Sequence, residues 1–230
     1  MQPWKLYLNL CLQTALTLAV MGAILFAAAG NSSWQQAWWF LAIFAAGSAG
    51  FGIWLGRHDP GLLAARLGSP IQRGQPLWDK LFLIVIIPVW CGWLGLMGLD
   101  AQRWQSSHMP PWLNVLGGAL VIGGFAAVLR VFAENSFAAP VVRVQAERAQ
   151  RVIDTGPYAI VRHPMYAAAM LYMVGMPLLL GSWYGLAALP LILLVLAPRA
   201  VMEERMLRRD LPGYAGYMSR VRYRLIPHIW

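Results

Sequence analysis

The chain has 230 residues, of which 59% are hydrophobic and only 12% charged, with a mean hydropathy of +0.55 and a formal net charge of +9. This composition excludes an ordinary soluble domain and makes the lipid bilayer the expected solvent. The positive balance does not point to nucleic acid, because the arginines sit in loops between apolar runs and no nucleic-acid motif or solvated basic face accompanies them.

Apolar segments follow one another at about 5–29, 34–55, 80–99, 112–132, 166–181 and 183–198. The first resembles a signal peptide in ending on Ala27-Ala28-Ala29, but it exceeds an h-region of about 7–15 residues and reads as a membrane helix. The first four are long enough to cross a hydrocarbon core of about 30 Å at 1.5 Å per residue. The last two are separated by Gly181-Ser182, contain Gly175, Pro177 and Pro190, and read as a tight hairpin that either crosses with kinks or stops short. The expected fold is an all-α polytopic bundle of five to six segments. Residues 1–133 form the scaffold and lipid side, and 134–230 the cofactor-binding and catalytic region, with a hairpin over 166–198 and a cytoplasmic tail helix.

Basic residues orient the bundle. Lys5, Arg57, Arg66, Arg73, Lys80, Arg130, Arg143, Arg148, Arg151, Arg162 and every arginine from Arg199 onward fall on one side, and only Arg103 falls on the other. The positive-inside rule then puts both termini in the cytoplasm of a multi-pass protein, with the cell inner membrane as its expected location. Gly52 and Gly56, and Gly92, Gly95 and Gly98, are spaced as helix-packing stripes. Cys11 and Cys91 lie inside apolar runs and read as buried thiols, with no metal expected. His58-Asp59, in a turn, reads first as a cap or solvated contact.

The loop from Glu134 to Arg162 is long and polar, and it leads into TGPYAIVRHPMY at 155–166. Pro164 suits the first turn of a helix, which puts His163 at its cap and Arg162 beside it. Two readings stand on this stretch alone. One is an anion site that uses the helix N-terminus for a ligand carboxylate or phosphate. The other is a membrane-boundary anchor with a snorkelling arginine, a capping histidine and tyrosines in the aromatic belt. Glu203-Glu204 lie just past the hairpin and are either salt-bridged surface acids or part of the same site, since the hairpin returns the chain to the face it left.

GPYAIVRHPMY, the hairpin, EERMLRRDLPGYAGY and RYRLIP together resemble the C-terminal half of the integral membrane methyltransferases typified by isoprenylcysteine carboxyl methyltransferase and phospholipid methyltransferases. The resemblance covers about 134–227 and departs from the usual pattern at Ala167-Ala168 and at Leu211-Pro212-Gly213. It implies an S-adenosylmethionine site without a Rossmann fold. Tyr158, Arg162, His163, Tyr166, Glu203 and Glu204 would bind cofactor, Arg209, Tyr214 and Tyr217 would bind substrate, and Glu203 and Arg209 would be catalytic. The acceptor would be a membrane lipid or lipidated small molecule, either a prenylcysteine-like carboxylate held by Arg209 or a lipid amine whose proton goes to Glu203 or Glu204. The alternatives are an NAD(P)H-dependent reductase of a sterol- or quinone-like lipid, which shares this C-terminal architecture, and a non-catalytic membrane protein.

Overall fold

The computed structural model describes residues 3–72 and 74–230; Arg73, counted above on the basic side, lies outside the described residues. It is a bundle of α-helices with no strand among the described residues. Helix α1 spans Pro3–Ala29, α2 Gln35–His58, the short α3 Pro60–Arg66, α4 Leu77–Gly98 and α5 Pro111–Glu134. After a long loop come α6, Pro164–Leu180, the one-turn α7, Trp183–Ala187, then α8, Leu189–Asp210, and α9, Tyr214–Arg220. Proline opens α3, α5 and α6, where its missing N–H costs nothing.

Among the described residues, five stretches are long and apolar enough to cross a membrane, the fifth being Trp183–Asp210. Leu12, Leu16, Ile84, Val115 and Leu194 face outward from the bundle, an apolar surface that a bilayer covers at no cost. At 17 residues α6 reaches only about 25 Å, so of the two expectations for the hairpin it is the short arm. The other arm runs on past Pro198 for three more turns, and this extension carries Glu203 and Glu204.

The tightest packing is between α5 and α6, whose backbones touch. A Cβ on Gly117 would lie 2.2 Å from the Leu179 amide nitrogen, and one on Gly175 would lie 2.7 Å from the Gly117 carbonyl oxygen. Of the glycines singled out in the sequence, Gly52 and Gly56 lie against Leu10 and Tyr7 of α1, and Gly98 lies against the Leu25 carbonyl. Gly92 meets nothing within 4 Å and Gly95 only Ile24, so the second stripe is a contact at one end only. Cys11 is exposed and Cys91 half-buried, which corrects the expectation that both thiols are buried. Asp59 caps α3 by accepting from Leu62 N at 2.8 Å, and His58 stacks on Trp54, as a cap and contact should.

At the end of the bundle away from the basic loops, a π turn over Leu99–Arg103 buries Asp100. Its Oδ2 accepts from Ser107 Oγ and Ser182 Oγ at 2.6 Å each and from Tyr184 N at 3.1 Å. These bonds fasten the α6–α7 turn to α4 and fix how α8 sets out toward the opposite end.

Candidate active site

At the basic end, the start of α6, the end of α8 and the tail after α9 are joined by one carboxylate. Glu204 is 3% exposed. Its Oε1 accepts from Arg162 Nε at 2.6 Å and lies 3.3 Å from His163 Nε2, and its Oε2 accepts from Arg224 Nε at 2.8 Å. The Arg162 Nη1 donates to the carbonyls of Val221 and Arg222 at 2.8 and 2.7 Å. The amides of Arg162 and His163 donate to the carbonyls of Tyr223 and Arg224. His163 occupies the cap position of α6 without capping through its side chain. The carboxylate at the Arg162–His163 corner is the protein's own Glu204, so of the two readings open for that acid in the sequence it is the one tied into the site.

Glu203, one residue earlier, faces elsewhere. Adjacent helical residues point about 100° apart, and Glu203 Oε2 accepts from Tyr166 Oη at 2.8 Å while its Oε1 has no partner among the described residues. Tyr166 Oη in turn accepts from Arg199 Nη1 at 3.0 Å. Arg199 Nε donates to Asp79 Oδ1 at 2.9 Å, and Asp79 is fully buried, with Oδ2 accepting from Gln75 Nε2 and Val142 N. A relay of hydrogen bonds thus runs from α4 through α8 and α6 to the Glu203 carboxylate. Asp79 was not among the residues named from the sequence, and Arg199 was named there only for its charge. An acid beside an apolar run and an arginine directly after Pro198 were the available signals, because an ionisable group in such a place needs a partner.

Glu203 opens onto a cleft of about 780 Å³, counted out to the solvent at its mouth. Tyr158, Tyr166, Arg143, Arg151 and Asn135 line it, as do the sides of Arg162 and His163, with Val152, Leu207 and Leu211 as apolar wall. Arg143 donates from Nη2 to Glu147 at 2.5 Å, whereas its Nε is buried with no hydrogen-bond partner among the described residues. Tyr158 Oη accepts from Asn135 Nδ2 at 2.7 Å, and Tyr217 Oη donates to the Tyr158 carbonyl at 2.8 Å. Burial pushes the phenols of Tyr158, Tyr214 and Tyr217 up, so all three stay neutral at physiological pH.

The structure thus brings Tyr158, Arg162, His163, Tyr166, Glu203, Tyr214 and Tyr217 around one cleft, with Glu204 behind the wall as their tie. It does not bring Arg209 there. That residue is 76% exposed at its side chain and paired with its neighbour Asp210, outside the cleft lining. Helix geometry accounts for its place: six residues past Glu203 is a turn and two-thirds, on another face.

Residues 112–211 match the phospholipid methyltransferase family. No curated protein matches the chain. The matched span runs from α5 to the end of α8 and includes both acids and the whole 155–166 stretch, but it stops short of Tyr214, Tyr217 and Arg224.

Proposed function

We infer, from a chain whose residues 112–211 match the phospholipid methyltransferases and support a membrane methyltransferase acting on lipid, that it transfers a methyl group from S-adenosylmethionine to a lipid amine. The observation that carries this reading is Glu203, a carboxylate held by Tyr166 on one oxygen and, among the described residues, without a hydrogen-bond partner on the other, at the edge of the polar cleft. The residues around that cleft fit such a cofactor. The unpartnered Arg143 Nε suits a carboxylate, Glu203 suits a cation, and Tyr158 with Val152, Leu207 and Leu211 suits a planar ring. When bound, S-adenosylmethionine supplies a methyl on a sulfonium, whose C–S bond breaks as the new bond to methyl forms.

An amine acceptor must shed a proton, and Glu203 Oε1 is the group placed to take it. The Asp79–Arg199–Tyr166 relay ends on Glu203 Oε2, which restrains the carboxylate before binding and leaves Oε1 toward the cleft. Glu204 keeps its own charge occupied with Arg162, His163 and Arg224 and acts as a positioning residue. A carboxylate acceptor held by Arg209 lacks that support, because Arg209 is outside the cleft. The basic end of the bundle, by the positive-inside rule, faces the cytoplasm, so the cofactor arrives from water and the acceptor from the membrane.

The test is calorimetry on the purified protein. Binding of S-adenosylhomocysteine is expected, whereas binding of NADPH in its place would instead support a lipid reductase. Labelled methyl transfer into total lipid extract should then appear in an amine-bearing lipid, and a base-labile methyl ester as product would overturn the amine assignment.

A further inference from the structure

Tyr166 lines a second space on its other side. This cleft, about 1020 Å³ counted out to its open side, has walls of Met170 and Met173 from α6, Pro190 to Ala200 from α8, and Leu225, Ile226, Ile229 and Trp230 from the tail. Tyr166 is the sole polar residue of its lining besides the tail tryptophan. It follows α8 for about 15 Å, along the direction a lipid chain already takes in a bilayer. A tail turn closes one side. The Trp230 carbonyl accepts from the amides of Arg224, Leu225 and Ile226, and His228 has a positive φ of 66°, which turns Ile229 and Trp230 back onto the groove. The Arg224 guanidinium lies 5.3 Å from the Trp230 ring centre while it holds Glu204.

We propose that residues 224–230 wall a groove for a hydrocarbon chain of the acceptor, and that Ile229 and Trp230 determine which chains fit. The occupant follows from continuity: Tyr166 lines both spaces, so an amphiphile with its head at Glu203 passes Tyr166 and meets this apolar groove next. The identity of the chain as the acceptor's rests on the methyltransferase reading, whereas occupancy of the groove is a separate matter.

The experiment uses the full-length protein in lipid nanodiscs and a lysophospholipid whose one chain carries a photoreactive diazirine, with no cofactor added. Adducts are expected at Met170, Leu194 and Ile229, suppressed by Ile229→Trp, which fills the mouth from a residue 77% exposed, and suppressed again by Leu194→Trp. S-adenosylhomocysteine affinity should be the same in these variants as in the parent. Adducts spread evenly to Leu16 and Val115, or unchanged in both variants, would overturn the groove as a specific site. In turnover with single-chain amines, KM should fall roughly fourfold per added methylene until the groove is full, and the plateau should come at shorter chains in Ile229→Trp. A groove that labels as expected in a protein that fails to bind S-adenosylhomocysteine would sink the cofactor reading alone.

Discussion

Glu203 and Glu204 are adjacent in sequence, yet a 100° turn of the helix gives one to the cleft and the other to the wall. Their substitutions should therefore fail differently. Glu203→Gln keeps the Tyr166 contact but cannot take a proton, and methyl transfer should drop by roughly 10²–10⁴ while unfolding in detergent is little changed. Glu204→Gln leaves Arg162 and Arg224 around a neutral group, and losing one partner of a buried ion pair costs about 3–5 kcal/mol, so a lower thermal midpoint should accompany lost activity. Arg209→Ala removes an exposed pair with Asp210, and surface changes of this kind stay within about 0.5 kcal/mol of stability, so the thermal midpoint and the rate of methyl transfer should both stay near the parent's. A large loss in that variant, measured by labelled methyl transfer, would return Arg209 to the site.

At the level of elements, α5 and α6 set the geometry because they approach backbone to backbone. A methyl group on Gly117 meets the amide of Leu179, which cannot rotate away as a side chain could. Gly117→Ala should destabilise by about 1–3 kcal/mol and shift Tyr166 relative to Glu203, whereas Gly92→Ala, with open space around it, should be neutral or slightly stabilising. Denaturation of the two variants in the same detergent makes the comparison. The stripe at 92–98 and the pair at 52–56 look alike in sequence; only the partner helix decides which glycine is needed.

For the whole molecule, the basic end and the cleft coincide. Cysteines introduced at Arg205 and at Ser106, both at exposed positions on opposite ends, should be labelled by a membrane-impermeant maleimide from opposite sides of inverted and right-side-out vesicles. Labelling of both from one side would overturn the assignment of the termini to the cytoplasm. The tail closes the assembly: residues 221–224 are hydrogen-bonded along Arg162-His163, so the last stretch of chain and the first turn of α6 form one structure.

The all-helical class, the apolar spans and the helix start at Pro164 were all legible in the sequence, because each rests on local composition or periodicity. The cleft residues Tyr158, Tyr166 and Glu203 were reached only through motif resemblance, since spacing alone left 155–166 open between an anion site and a membrane anchor. What the tertiary structure decided is pairing. That Glu204 rather than a ligand fills the Arg162–His163 corner, that Asp79 reaches Arg199 across 120 positions, and that Arg209 is left outside all depend on which helices lie side by side. Charges buried beside a membrane must find a partner, but the sequence carries no record of which one, and only the packing of α4, α6 and α8 brings them within hydrogen-bond reach.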